Sequence, residues 1–355
     1  MDTSLMVRGL VFFLVVVLIC GCEVNQENTE TPQDSQNRIR PLPSTADILF
    51  LSNRDTGNRS KEIYSMDASG KHVTRITYTN EHHFLMGIDN TGTYLVVTKA
   101  DKDTANPRGL GDEDRKRLWV YTLTTGKEQP LTDPGSMAEG DSFSPDSEWV
   151  VFWMIPQGEQ TSDIYKIRRN SSELTRLTHT PAANEFDPCW SNDGEKIVYN
   201  YYDTEIQRFI LKVMDIDGQN ERIVYDGGPG EATERFPPGN YDPSWSPDDQ
   251  WIVFDRPMSY KEENGKAGIW HILKVKSDGS GVVDLSALGD HIDRCEYLPS
   301  YSPDGTVVIF SCRFGPKDPV HVSINVFVMD QSGGSLTQLT DSEFCDDGAI
   351  WVRQK

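Results

Sequence analysis

The chain has 355 residues, and 55 acidic against 34 basic side chains give it a net charge of −21. Such a chain repels phosphate backbones and anionic lipid head groups, which excludes nucleic acid as a partner and leaves cationic ligands, metal ions and basic protein patches. The same charge would also serve solubility alone.

Residues 1–22 read MDTSLMVRGLVFFLVVVLICGC. Arg8 precedes an apolar run from Leu10 to Cys20 that is short for a membrane span and suits a signal-peptide core. An uncleaved anchor is the rival reading. The end of the run resembles a bacterial lipobox, with Ile19 three places and Gly21 one place before Cys22. The resemblance implies a signal peptide over 1–21, lipidation of Cys22, and anchoring to the bacterial membrane. Glu23, rather than aspartate, follows the cysteine, which favours the outer membrane facing the periplasm. Residues 22–45 are polar and bury too little apolar surface to order themselves. They read as a disordered tether with a reach of about 25–30 Å.

From residue 46 the chain repeats. "GDSFSPDSEWVVFWM" from Gly140, "FDPCWSNDGEKIVYNYYD" from Phe186, "YDPSWSPDDQWIVFDRP" from Tyr241 and "YLPSYSPDGTVVIFSCRF" from Tyr297 align, with a weaker copy from Phe84. The aligned positions are Ile88, Phe143, Trp190, Trp245 and Tyr301, at intervals of 55, 47, 55 and 56 residues. Two more strand-like runs follow each copy, one of the type "EIYSMD" and one ending in "TRIT" or "TRLT". Four-stranded units of about 50 residues are the mark of an all-β propeller. The run Asp47–Asp55 is a second strand with no first strand before it, and Cys345–Lys355 is a first strand with no second after it. Pairing the two completes a mixed blade and removes two open edges. The expected fold is therefore a six-bladed β-propeller of four-stranded blades over 46–355, closed by its C-terminal strand.

Ser-Pro-Asp-Gly is a tight turn between the first and second strands. Proline presets φ, aspartate bonds to nearby N–H groups, and glycine takes the left-handed region. Gly92, Gly194 and Gly305 fit, while Ser147 and Asp249 stand in for glycine. Asp146, Asp193, Asp248 and Asp304 are thus turn residues rather than catalytic acids. The large aromatics of the repeat are expected to fill the space between blades. Asp255, at the end of a second strand, reads as a surface residue.

Asp-Pro-x-Trp-Ser-Pro-Asp-Gly, then Ile-x-Phe, Ile-Tyr-x-Met-Asp and x-Leu-Thr, resembles the TolB-type β-propeller repeat. The resemblance runs from about residue 46 to the C-terminus. TolB proteins carry an α/β domain ahead of the propeller where this chain has a polar tether, so a Tol–Pal role is not carried over.

Residues just before each first strand form a ring at one channel mouth. They are His82, His83, Glu139, Asp141, Glu185, Asp187, Tyr241, Asp242, Asp293, Arg294, Glu296, Asp346 and Asp347. The ring would bind a cation, a basic peptide or a polyhydroxylated ligand, or its carboxylates would accept backbone N–H bonds. His82 and His83 are adjacent and would point apart on a strand, which works against one shared ion. A His–carboxylate ring is also similar to oligogalacturonate-lyase-like propellers. The chain lacks Gly-x-Ser-x-Gly, Walker, His-Glu-x-x-His and Cys-x-x-Cys motifs. The glycine-containing stretches Gly109–Arg117 and Gly227–Gly239 read as surface loops. Cys295 and Cys312 are the expected disulfide, with Cys345 a rival partner, and Cys189 a buried apolar residue.

These readings converge on an exported, lipid-anchored, monomeric propeller that binds an envelope protein or polymer without catalysis. A polysaccharide-active enzyme using the acidic and histidine mouth is the alternative. No cofactor is implied, although the mouth is compatible with a divalent cation.

Overall fold

The computed structural model describes residues 39–56, 60–79, 81–100, 116–228, 237–259, 268–289, 294–313 and 323–352. The expected signal peptide, Cys22 and the tether as far as residue 38 lie outside the described residues. So do Asp293 and most of the two glycine-containing loops.

Almost every regular element is a strand. In chain order they are β1 (Ile48–Ser52), β2 (Glu62–Met66) and β3 (Thr74–Arg75), then β4 (His83–Ile88), β5 (Tyr94–Ala100), β6 (Lys116–Thr122) and β7 (Lys127–Pro130). Next come β8 (Met137–Phe143), β9 (Trp149–Ile155), β10 (Asp163–Arg168) and β11 (Thr175–Arg176), followed by β12 (Asn184–Trp190), β13 (Lys196–Asp203), β14 (Arg208–Asp215) and β15 (Arg222–Tyr225). The last are β16 (Tyr241–Trp245), β17 (Trp251–Ser259), β18 (Ile269–Lys276), β19 (Val283–Asp284), β20 (Cys295–Tyr301), β21 (Val307–Arg313), β22 (Ile324–Asp330), β23 (Thr337–Gln338) and β24 (Asp346–Trp351). A single-turn helix, α1 (Leu285–Leu288), follows β19.

The strands run as antiparallel meanders: β4 to β7, β8 to β11, and β12 to β15 each form a four-stranded sheet. The meanders β16–β19 and β20–β23 join into one eight-stranded sheet through a single parallel bridge, Trp270 to Cys295. The remaining sheet has the order β24-β1-β2-β3, so the last strand pairs with the first. Ile48 lies opposite Trp351, Leu49 opposite Ile350, Leu51 opposite Asp347 and Ser52 opposite Asp346.

The second strand of each meander is an apolar run because both its faces are covered. Val150 to Trp153 and Val308 to Phe310 are buried throughout. Apolar packing is divided among the gaps between neighbouring sheets. Leu49 and Ile63 pack with Leu95 and Tyr121, and Val96 and Leu118 with Val150 and Phe152. Trp190 lies with Val151 and Ile197, Trp245 with Val198 and Phe254, and Tyr301 with Val253 and Phe310. The repeat aromatics therefore fill the gaps as expected. A further cluster sets Ile48 and Phe50 against Ile309 and Val326, joining the first sheet to the last meander. The innermost strands touch in sequence: β4 packs on β8, β8 on β12, β12 on β16, β16 on β20, β20 on β24, and β24 on β4.

Two polar devices recur. In the Ser-Pro-Asp turns the serine hydroxyl donates to the aspartate, as Ser246 does to Asp248 at 2.6 Å, and accepts the N–H that opens the next strand. Ser144, Ser191 and Ser302 repeat this. The expected left-handed residues hold positive φ, including Ser147 at 63° and Asp249 at 56°. The carboxylate of Asp249 also accepts the N–H groups of Asn192 and Asp193 in the preceding meander. The Leu-Thr ends of the fourth strands carry the second device. Thr77, Thr178 and Thr340 accept a third-strand N–H at 2.8–3.0 Å. Each then donates to a buried side chain: Thr77 to Glu62, Thr178 to Glu185 and Thr340 to Asn325.

Ile39 is buried and bridges to Thr77, and the Arg40 N–H donates to the Ile76 carbonyl. Contacts with the sheets are thus already present at Ile39 and Arg40, ahead of residue 46. The cysteine expectation is not met: no disulfide joins Cys295 to Cys312 or to Cys345. Cys295 lies opposite Arg313 while Cys312 lies opposite Glu296. One position of offset sends the two side chains to opposite faces of the sheet.

Gly87 sits where β4 meets β8. A Cβ there would lie 1.5 Å from the Asp141 carbonyl oxygen and 2.5 Å from its carbon. Gly87→Ala should lower stability by more than about 3 kcal/mol, because backbone must move. Chemical denaturation reads this directly, and an unchanged midpoint would contradict the packing.

Candidate functional site

The inner strands enclose a channel of about 410 Å³. What faces it is set by bulges. In β8, β12, β16, β20 and β24, two residues oppose one on the second strand: Gly140–Asp141, Asp187–Pro188, Asp242–Pro243, Leu298–Pro299 and Gly348–Ala349. Proline suits a bulge because its missing N–H costs no ladder bond. Asp187, Asp242, Leu298 and Gly348 take φ of 49°, 48°, 54° and 58°. The bulge residues all line the channel.

Its wall is two-sided. Asp141, Asp187 and Asp242 come from the consecutive strands β8, β12 and β16, whereas Leu298, Gly348 and Gly87 come from β20, β24 and β4. Trp190, Trp245, Tyr301 and Trp351 line the channel towards the Ser-Pro-Asp turns. No Lys or Arg is among the described residues that line it.

Asp187 accepts a hydrogen bond from the Asn200 amide at 2.8 Å. Asp141 and Asp187 touch the channel yet are enclosed by protein, and both are pushed up to about 7. Burial is the main cause, and the charges of Glu139 and Asp141 add to it at Asp187. Behind Asp242 stands Asp255, expected at the surface but fully buried. The expectation fails because β17 runs on past Asp255 to Ser259, keeping this residue inside the sheet. No lysine, arginine or hydroxyl side chain among the described residues pairs with Asp255, which has the backbone N–H groups of its own residue and of Leu298 beside it. Its carboxyl faces that of Asp242, and two carboxyls bond to each other only when one holds a proton. Burial, the largest cause at both, raises Asp242 and pushes Asp255 up to about 8.

The other ring residues are engaged elsewhere. Glu139 pairs with Lys116, Asp347 with Lys61, and Asp346 with Arg54 at 2.8 Å and Ser342 at 2.7 Å. Glu185 accepts from Thr178 and Thr180, and Glu296 accepts from Ser286 at 2.6 Å. Tyr241 is buried and donates to the Pro237 carbonyl, and the Arg294 carbonyl accepts the Trp270 N–H. His83 lies between the Lys61 carbonyl and the Tyr121 hydroxyl, while His82 packs edge-on to Phe84. Burial and nearby cationic charge push His82 down to about 3, so it stays neutral. Among the described residues, no three His, Cys, Asp or Glu side chains converge to hold a metal ion. His271 pairs with Asp284 close to Ser286, a grouping that the repeat pattern did not flag. The Ser286 hydroxyl is fully buried, donates to Glu296 and accepts the Ile272 N–H, so it is no nucleophile.

A carboxyl raised in the fold favours the protonated folded state. Its contribution is fully present below its unfolded value of about 4 and is lost as pH rises through about 7. Asp187→Asn keeps the Asn200 bond and tolerates the left-handed φ. It should raise the melting temperature at about pH 8, with the gain shrinking towards about pH 5. A gain equal at both, or a loss, would contradict the assignment.

Residues 111–317 match the model of the TolB beta propeller domain. An uncharacterized protein of Agrobacterium fabrum, Atu1656, is 28% identical over 39% of this chain, and the match covers 46% of that protein. The chain thus spans less than half the length of that curated relative. The crystal structure of TolB from Acinetobacter baumannii superposes with a TM-score of 0.64 at 14% identity, over 87% of this chain and 67% of that one. Oligogalacturonate lyase from Vibrio parahaemolyticus does so with a TM-score of 0.53 at 13% identity, over 85% and 76%. At such identities the superpositions speak to fold alone, but the domain match covers more than half of the sequence, and the chain belongs to the TolB beta propeller family.

Proposed function

We propose that the four-stranded units close into a six-bladed propeller that serves as a non-catalytic binding platform in the cell envelope. It would be exported and held at the membrane through Cys22. Its channel would receive part of an envelope protein or polymer. The observation that carries this reading is the division of the acidic ring. Most of its carboxylates pair with lysine, arginine or hydroxyl groups inside the sheets, while Asp141, Asp187 and Asp242 line one side of the channel.

The polysaccharide-enzyme alternative fits this channel poorly. An oligogalacturonate is itself a polyanion, and the described residues lining this channel offer no Lys or Arg to pair with it. A photo-crosslinking residue at Ser300, which lines the channel, should capture a discrete partner in native envelopes. The same residue at Val73, exposed just before the outer strand β3, should not. Identical adduct patterns at the two sites, or turnover of oligogalacturonate, would overturn the reading.

A further inference from the structure

The acidic half of the channel wall specifies the chemistry of its occupant. Building on the platform reading, we infer that the channel takes a primary ammonium group on an aliphatic stem, and that its entry displaces protons held among Asp141, Asp187, Asp242 and Asp255.

Four features of the channel carry this. First, the three lining carboxyls come from strands that touch one another, so they form one acidic half-wall. Opposing them are Leu298, Gly348 and Gly87, with Trp190, Trp245 and Tyr301 nearer the turns. An occupant that satisfies both halves has a compact cation at one end and an apolar stem. Second, the Asp141 carboxyl has no side-chain hydrogen-bond or ion-pair partner among the described residues, and the Asn200 amide is the one side chain there that donates to Asp187. Third, Asp255 is fully buried, has no lysine or arginine paired with it among the described residues, and is directed at Asp242, with the backbone N–H groups of its own residue and of Leu298 beside it. A buried carboxyl in that state waits for a proton or a cation. Fourth, no three carboxyls among the described residues converge tightly enough for a metal ion. An ammonium carries three N–H donors that reach separate acceptors and needs no tight cage. A volume of about 410 Å³ also matches an organic group rather than a bare ion.

The protons balance. The ammonium keeps its three hydrogens, and no covalent bond to it forms or breaks. Protons on the carboxyls leave to solvent, and the ionised cluster then faces the cation. Other titratable groups nearby do not replace them. Glu139 of β8 is matched by Lys116 of β6. Cys295 of β20, near Asp255, stays a thiol because burial pushes it up to about 12.

A lysine side chain of a partner and a free alkylamine share this chemistry. Calorimetry on the full chain would use n-butylamine and the peptide acetyl-Gly-Lys-Gly-amide, with n-butanol as the uncharged control. Affinity for the ammonium probes should rise about tenfold between about pH 6 and about pH 8, as one carboxyl passes from mostly protonated to mostly ionised. Buffers of different ionisation enthalpy should show proton release. Asp187→Asn, its fold checked by circular dichroism, should lose most of the pH dependence. Tighter binding of the peptide assigns the site to a lysine, and tighter binding of butylamine to a free amine. No binding of either probe at about pH 8, binding without proton release, or equal binding of butanol would overturn the inference. If the Ser300 adduct still formed in that event, the platform would stand and only its ligand chemistry would fall.

Discussion

The pairing of β1 with β24 is the interaction on which the rest of the molecule depends. It joins strands separated by nearly the whole chain and covers a sheet edge that would otherwise be open. The seam has three kinds of support. The ladder runs from Ile48–Trp351 to Ser52–Asp346. Arg54 and Lys61 pair with Asp346 and Asp347 across it, and Asn53 accepts the Cys345 N–H. Ile48 and Phe50 pack against Ile309 and Val326 of the preceding meander. Those ion pairs are largely buried, so removing one member would leave a charge uncompensated. This is why Asp346 and Asp347, which look like site residues, serve the architecture.

The bulges turn that architecture into a site. On a regular strand, alternate side chains would all enter the gaps between sheets. A left-handed residue at the bulge turns aside from this alternation, and Asp187 and Asp242 reach the channel in that way. The cost is the burial of several carboxyls near one another. Burial raises their proton affinity, which makes the site less acidic at neutral pH than its composition suggests. A chain with a net charge of −21 thus holds some of its most consequential acids partly neutral.

Much of this was legible in the amino-acid order. The Ser-Pro-Asp turns, the buried second strands and the unpaired strand at each end have local signatures, and the structure follows them down to the positive φ of Ser147 and Asp249. The ring was harder, because neighbouring positions on one strand have opposite fates. Glu185 enters a threonine network, while Asp187 enters the channel. Only the bulge separates them, and Asp-Pro does not announce a bulge by residue count. Asp255 was misplaced for a related reason: the end of a strand is its least defined feature, and β17 runs on to Ser259. The Leu-Thr ends were visible as a repeat, but their task needed third-strand N–H groups and buried acids brought from elsewhere in the chain. The cysteine pair failed on register, where one position reverses the face.

The measurement that tests the account most directly is a carbon-13 NMR titration of the aspartate side-chain carboxyls. In the free protein, Asp141 and Asp187 should titrate near 7 and Asp255 near 8, far from the surface aspartates. Saturating n-butylamine should move these transitions to lower pH. Titration of all three near 4, the ordinary aspartate range, with no response to the amine would contradict it.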